Sequence, residues 1–117
     1  MHSETLKATD EYSAARATHP RVSLADMEGK IARSHYFTAD QAVCAAEDAV
    51  SYPEDPLKLL TICILVMQNG FTVIGKSAPA SPENFDPEKG QRFAYEDAIK
   101  QLWPLEGYAL RERLSAA

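Results

Sequence analysis

No segment of this chain is apolar for long enough to cross a bilayer. Its longest wholly apolar run is Ile62 to Met67, against the roughly 20 residues a spanning helix needs, so no membrane contact is expected. Positive charge is the scarcer sign: 12 Lys and Arg against 17 Asp and Glu give a formal net charge of −5. An acidic chain repels phosphate backbones, which argues against direct nucleic-acid binding through a broad basic face and leaves basic protein partners open. Cysteine is nearly absent. Cys44 and Cys63 are the two present, one in a helical pattern and one inside the apolar run; such positions behave as small apolar residues and make no disulfide framework. Three histidines without any C-x2-C or H-x3-H spacing exclude the common zinc arrangements, so no metal is expected. There is no Walker loop and no dinucleotide glycine motif, so no cofactor is expected. Ser77 and Ser81 lack the G-x-S-x-G elbow and no histidine follows them. The opening MHSETLKATDEYSAARATHP has no apolar core of the signal-peptide kind, and a cytoplasmic location is the expectation.

What is present is an ordinary soluble composition. With 117 residues, 45% hydrophobic and 25% charged, the chain suits one domain with a real core. Residues 1–20 are polar and without sustained periodicity; they read as a flexible leader or a short frayed helix, with His2 and His19 exposed. Residues 21–117 read as a single α+β domain.

That domain is organised around Leu60–Ala78, LTICILVMQNGFTVIGKSA. An apolar run, Asn69-Gly70 and an alternating run together read as a β-hairpin. A type I′ turn at Asn-Gly would set Gln68 opposite Phe71, Val66 opposite Val73 and Leu65 opposite Ile74. A helix over Leu57–Met67 is the alternative: Asp55-Pro56 is a cap followed by a first-turn proline, and Leu57, Leu60, Ile64 and Met67 keep helical spacing. The β-branched Thr61, Ile62, Ile64 and Val66 favour the strand.

Around the hairpin the chain alternates caps and apolar stripes. Ser23 caps a helix expected over 23–33 with Leu24, Met27 and Ile31 on one face and Val22 against Met27 across the cap. His35–Thr38 either links two helices or forms a third short strand. Thr38 and Gln41 match a capping box for a helix over 39–50 that would bury Val43, Ala46 and Val50. Ser51–Pro56 is a loop by its prolines. Ala78–Gly90 holds three more and cannot be regular. Asp86-Pro87 opens a helix to about 103 with Tyr95, Ala98, Ile99 and Leu102 on one face. Pro104 ends or kinks it before a further helical stretch, Leu105–Leu114. The expected fold class is α+β: a small antiparallel sheet, hairpin 60–78 with a possible third strand near 35–38, against three to four helices. The strand Ile62–Met67 is apolar on both faces and a lone hairpin is marginal in water, so His35–Thr38 or a second subunit must pair with it; a homodimer or higher oligomer is expected.

No catalytic residue emerges, and the chain reads as a non-enzyme. The stretch 76–86 is the candidate binding loop, since Lys76, Ser77, Ser81, Asn84 and Asp86 surround an aromatic, Phe85; its plainer reading is a connector whose Asn84 and Asp86 cap turns. Glu47, Asp48, Glu54 and Asp55 form a candidate acidic interface, or simply solvated charge. Trp103 is a core anchor or an interface residue.

The segment from Thr61 to Leu114 resembles a family of small phage and prophage proteins named after gene product forty-nine of an enterobacterial podovirus. The resemblance lies in Asn69, Gly70, Phe71, Val73, Gly75, Ser77, Ala78, then Pro82, Asn84, Phe85, then Trp103, Pro104, Leu105, Glu106, Gly107, Tyr108 and Leu110, with His35–Thr38 also similar. It covers 57–114 closely and 21–38 more loosely. It implies a phage origin, a host-cell cytoplasmic location, a short strand ahead of the hairpin and, in residues 39–50, an insertion; it carries no catalytic residue. The expected function is an accessory binding protein that inhibits a host or anti-phage defence component, anti-CRISPR-like. The alternative is an oligomeric small-ligand binder such as a nucleotide-signal sponge, with Lys76 near a phosphate and Phe85 stacked on a base.

Overall fold

Asp86 shows how directly local chemistry sets the elements here. In the computed structural model, which describes residues 4–16 and 20–117, its carboxylate accepts the N–H groups of Glu88 at 2.9 Å and Lys89 at 3.2 Å. It thereby opens the longest helix at Pro87, as the cap-then-proline pair predicts. The described elements are α1 (Glu4–Arg16), α2 (Leu24–Gly29), β1 (Ile31–Thr38), α3 (Ala39–Glu47), β2 (Thr61–Met67), β3 (Thr72–Ser77) and α4 (Pro87–Ala116), with short 3-10 turns at Pro56–Leu59 and Pro82–Asn84. The fold is α+β: a three-stranded antiparallel sheet in the order β1-β2-β3 with helices around it.

β2 is the central strand, and its burial alternates along its length. Thr61, Cys63, Leu65 and Met67 face α4 and are buried; Ile62, Ile64 and Val66 point the other way and are half-buried. From α4 come Ala94, Tyr95, Ala98, Ile99 and Leu102, all buried, so the expected face is the one used. Met27, Leu24 and Leu6 complete this core. At Gly75 sheet and helix touch backbone to backbone: a Cβ there would lie 2.0 Å from the Ala94 carbonyl oxygen.

Helix α1 occupies most of the stretch read as leader or frayed helix. Its Leu6 joins the core, and Asp10 pairs with Arg21 at 2.8 Å and accepts the Leu24 N–H at 2.9 Å. His2 and His19 lie outside the described residues.

Several expectations are corrected. The hairpin register differs by one residue: Leu65 pairs with Val73, Ile64 with Ile74 and Val66 with Thr72. Asp48 is the one described non-glycine residue at positive φ, so Asn69 does not supply the conformation a type I′ turn needs. The loop instead widens to Gln68-Asn69-Gly70, closed by Met67 N–H to Phe71 O at 2.8 Å and Gly70 N–H to Met67 O at 2.9 Å. Gly70, at φ +88°, takes the left-handed position that follows a type I turn. The slip puts Val73 beside Leu65 under α4 and turns Ile74 outward with Ile64.

Helix α2 stops at Gly29 rather than near 33, and Ile31 starts β1 instead of extending a helical stripe. β1 is therefore eight residues long and begins well ahead of His35. Helix α3 ends at Glu47, with Asp48 left-handed at φ 50°. It does not bury the residues expected of it: Val43, Ala46 and Val50 are exposed, Val50 at 72%. The buried side chain of α3 is Asp40, whose carboxylate accepts the Ser51 hydroxyl at 2.7 Å. Finally, α4 does not end at Pro104 but continues to Ala116; the ring removes one N–H from the helix ladder, and the buried residues of the helix all precede it.

Candidate functional site

Three surfaces could serve recognition, and each follows from how the strands present their side chains. Successive side chains of a strand point to opposite faces. The register therefore places Arg33, His35 and Phe37 of β1, Ile62, Ile64 and Val66 of β2, and Thr72, Ile74 and Lys76 of β3 on the side of the sheet away from α4. Ile74 is 57% exposed; Arg33, His35, Thr72 and Lys76 are exposed too. The centre of this outer face is aliphatic. Its rim is cationic, with the Arg33 guanidinium donating to Nε2 of His35 at 2.6 Å, and no carboxylate lies among the nine residues.

The two sheet edges differ. Along β3, the Asp97 carboxylate accepts the Lys76 N–H at 2.9 Å and the Gln101 amide donates to the Ile74 carbonyl at 2.6 Å. Side chains of α4 thus occupy the edge groups that would otherwise template another strand.

The second surface is a cleft of about 180 Å³ lined by Ser77, Asn84, Phe85, Asp86, Lys89 and Phe93, among others. It gathers four of the six residues singled out in the 76–86 stretch. Lys76 and Ser81 do not join it: Lys76 lies on the outer sheet face, and the Ser81 hydroxyl donates to the neighbouring Glu83 carboxylate. Lys76 and Ser77 belong to β3 rather than to a loop, and the Ser77 hydroxyl donates to the Gly90 carbonyl at 2.7 Å, tying the strand to α4. Asp86 is committed to its helix cap. Lys76 and Phe85 therefore do not converge on one ligand.

The acidic residues are spread along the end of α3 and the following loop. Glu47, Asp48 and Glu54 are exposed. Asp55 is half-buried and accepts the Leu57 N–H at 2.9 Å, capping the 3-10 turn.

The third surface was not singled out in the sequence. It is a cleft of about 530 Å³ between the hairpin tip and the second half of α4. Met67 and Leu102 form its floor, and Phe71 and Leu105, 52% and 47% exposed, form its walls. The Gln68 side-chain amide donates to the Gly29 carbonyl at 2.8 Å and its backbone N–H to the Lys30 carbonyl at 2.8 Å, fixing the tip against the α2–β1 junction. Two segments that carry the family resemblance, Asn69–Phe71 and Leu105–Glu106, meet here from opposite ends of the fold. The available signal was the exposed aromatic after Asn-Gly together with apolar residues continuing past Pro104.

Both cysteines are free thiols. Burial pushes each above its ordinary value, and the Asp40 carboxylate adds to this at Cys44, so both stay protonated near neutral pH. Among the described residues no cluster of His, Cys, Asp and Glu could hold a metal ion, and no helix is long and apolar enough to cross a membrane.

Residues 22–114 match the phage protein family described as N4 Gp49/phage Sf6 gene 66. No curated protein and no solved structure matches the chain. The chain belongs to this phage protein family, as the sequence resemblance implied.

Proposed function

We propose that this member of the phage family is a non-enzymatic accessory protein that binds a host or anti-phage defence protein through the outer face of its sheet and inhibits it. The observation that carries the reading is the row Ile62, Ile64, Val66 and Ile74, aliphatic side chains on the face of the sheet opposite α4. α4 lies along the inner face and occupies the β3 edge with Asp97 and Gln101, while the outer row stays at the surface. Contiguous apolar surface with a polar rim marks protein interaction sites. The cationic rim of Arg33 and Lys76, in a chain of net charge −5, selects a partner with acidic groups around an apolar centre. This differs from an interface built on Glu47, Asp48, Glu54 and Asp55, of which Asp55 already caps a turn. The nucleotide-sponge alternative draws no support from Lys76 and Phe85, which lie apart.

The test is affinity capture from infected-host lysate, read by mass spectrometry, with wild type beside Ile74→Glu. Ile74 is exposed, so the variant folds. A protein retained by wild type and lost from the variant supports the reading. Equal capture by both moves the interface elsewhere and overturns it. Light scattering supplies the other decisive outcome: a wild-type dimer that becomes monomeric in Ile74→Glu would show that a second copy fills the face.

A further inference from the structure

The hairpin-tip cleft does not end at the hairpin. A second cleft of about 410 Å³, reaching toward Arg21, Val22 and Asp26, shares Lys30, Glu106 and Arg113 with the first. At their junction Lys30 and Glu106 are paired at 2.5 Å. Arg113 has no hydrogen-bond or ion-pair partner among the described residues. The three side chains that line both clefts thus carry one positive charge in excess, beside a chamber floored by Met67 and Leu102 that Asp26, a lining residue of the second cleft alone, does not reach.

We propose that this site binds a small amphipathic carboxylate, with its apolar body between Phe71 and Leu105 and its carboxylate on Arg113. The chamber's 530 Å³ lies within the ~300–1,000 Å³ of preformed small-molecule sites. Its pattern is theirs as well: apolar walls with a few convergent polar groups. A guanidinium presents two parallel N–H donors to a carboxylate, and its charge persists at any physiological pH. Lys30, already neutralised by Glu106, adds a donor without adding net charge. The single excess positive charge favours a monoanion over a neutral or cationic ligand of the same shape. Base stacking is not the design, because Phe71 is the one aromatic side chain lining the chamber. This site is separate from the outer sheet face, and its occupancy does not depend on the proposed partner.

Octanoate is the probe, titrated into the full chain and followed by amide NMR shifts, with octylammonium as the charge-reversed control. The expected result is saturable shifts at Phe71, Leu105 and Ala109 with octanoate and none there with octylammonium. Arg113→Glu should weaken octanoate roughly tenfold or more, the equivalent of removing one charge-assisted hydrogen bond, while Arg113→Lys retains most of the affinity. Arg113 is exposed near the end of α4, so both variants fold. Shifts centred on Ile64 and Ile74 would overturn the proposal. So would equal binding of octylammonium, the absence of any saturable shift, or an Arg113→Glu protein that binds octanoate unchanged. None of these outcomes bears on capture of a protein by the outer face.

Discussion

Replacing Gly75 by alanine adds one methyl group, and the structure says where it must go. The new Cβ would sit 2.0 Å from the Ala94 carbonyl oxygen, 2.5 Å from the Ala98 nitrogen and 2.9 Å from the Ala98 Cβ. Two of the three are backbone atoms inside α4, so no side-chain rotation relieves the clash. Carbon–oxygen approaches below about 3 Å are strongly repulsive, and α4 and β3 must part by about 1 Å. That separation would loosen Ala94, Ala98, Ile99 and Leu102 together, since all are packed against the sheet and buried. Overpacking a core by a methylene typically costs 1–3 kcal/mol; with backbone as the obstacle we expect about 3 kcal/mol or more. For a domain whose stability lies at roughly 5–15 kcal/mol, that is a large fraction of the total. Urea unfolding followed by far-UV circular dichroism measures it, and the expected result is a much lower midpoint at similar slope. A Gly75→Ala protein within 0.5 kcal/mol of wild type, on the scale of surface changes, would refute the close packing of β3 on α4.

Three further outcomes follow from the same geometry. Gly107→Ala lies within α4 with open space around the new methyl; it should stabilise by about 0.5–1 kcal/mol if the helix is continuous past Pro104, and a loss in urea midpoint would contradict that continuity. Thr38→Ala removes one half of the capping box, the hydroxyl that accepts the Gln41 N–H, and should cost about 1 kcal/mol by the same assay. Alkaline pH should destabilise the fold: burial raises the Tyr36 and Tyr95 hydroxyls and the Cys63 thiol above their ordinary values of 10.0, 10.0 and 9.0. The unfolded chain releases these protons first, so stability is fully present below about 9 and falls as pH rises beyond it; urea midpoints measured from pH 7 to 11 check this, and a flat profile would refute it.

Much of the local structure could be read directly from neighbouring residues. Ser23, Thr38 and Asp86 cap the helices they were expected to cap, and Asp55 caps a 3-10 turn in place of the alternative helix over Leu57–Met67, because an N-cap needs only a side-chain oxygen within two or three residues of the amide it receives. The α4 face of Tyr95, Ala98, Ile99 and Leu102 was legible for a similar reason, since helical spacing alone aligns them. β2 as the centre of the sheet followed from its β-branched residues and its apolar character on both faces. Of the candidate site, four residues from the 76–86 stretch do meet in one cleft, drawn together by the short link between β3 and α4.

Tertiary structure decided the rest. Val43, Ala46 and Val50 have helical spacing, but α3 turns only Asp40 inward, and periodicity cannot say whether a neighbour exists to cover a stripe. The hairpin register rested on a turn whose geometry Asn-Gly permits in more than one form, and packing chose the form that brings Val73 beneath α4. Gly75 reads as a strand glycine until the helix backbone is laid against it. The hairpin-tip cleft joins residues far apart in sequence, across a loop closed by Gly70 and a helix carried past Pro104. By itself the sequence determined what could form through interactions a few residues long; which faces are covered, and which are left for a partner, depended on distances that only the folded chain defines.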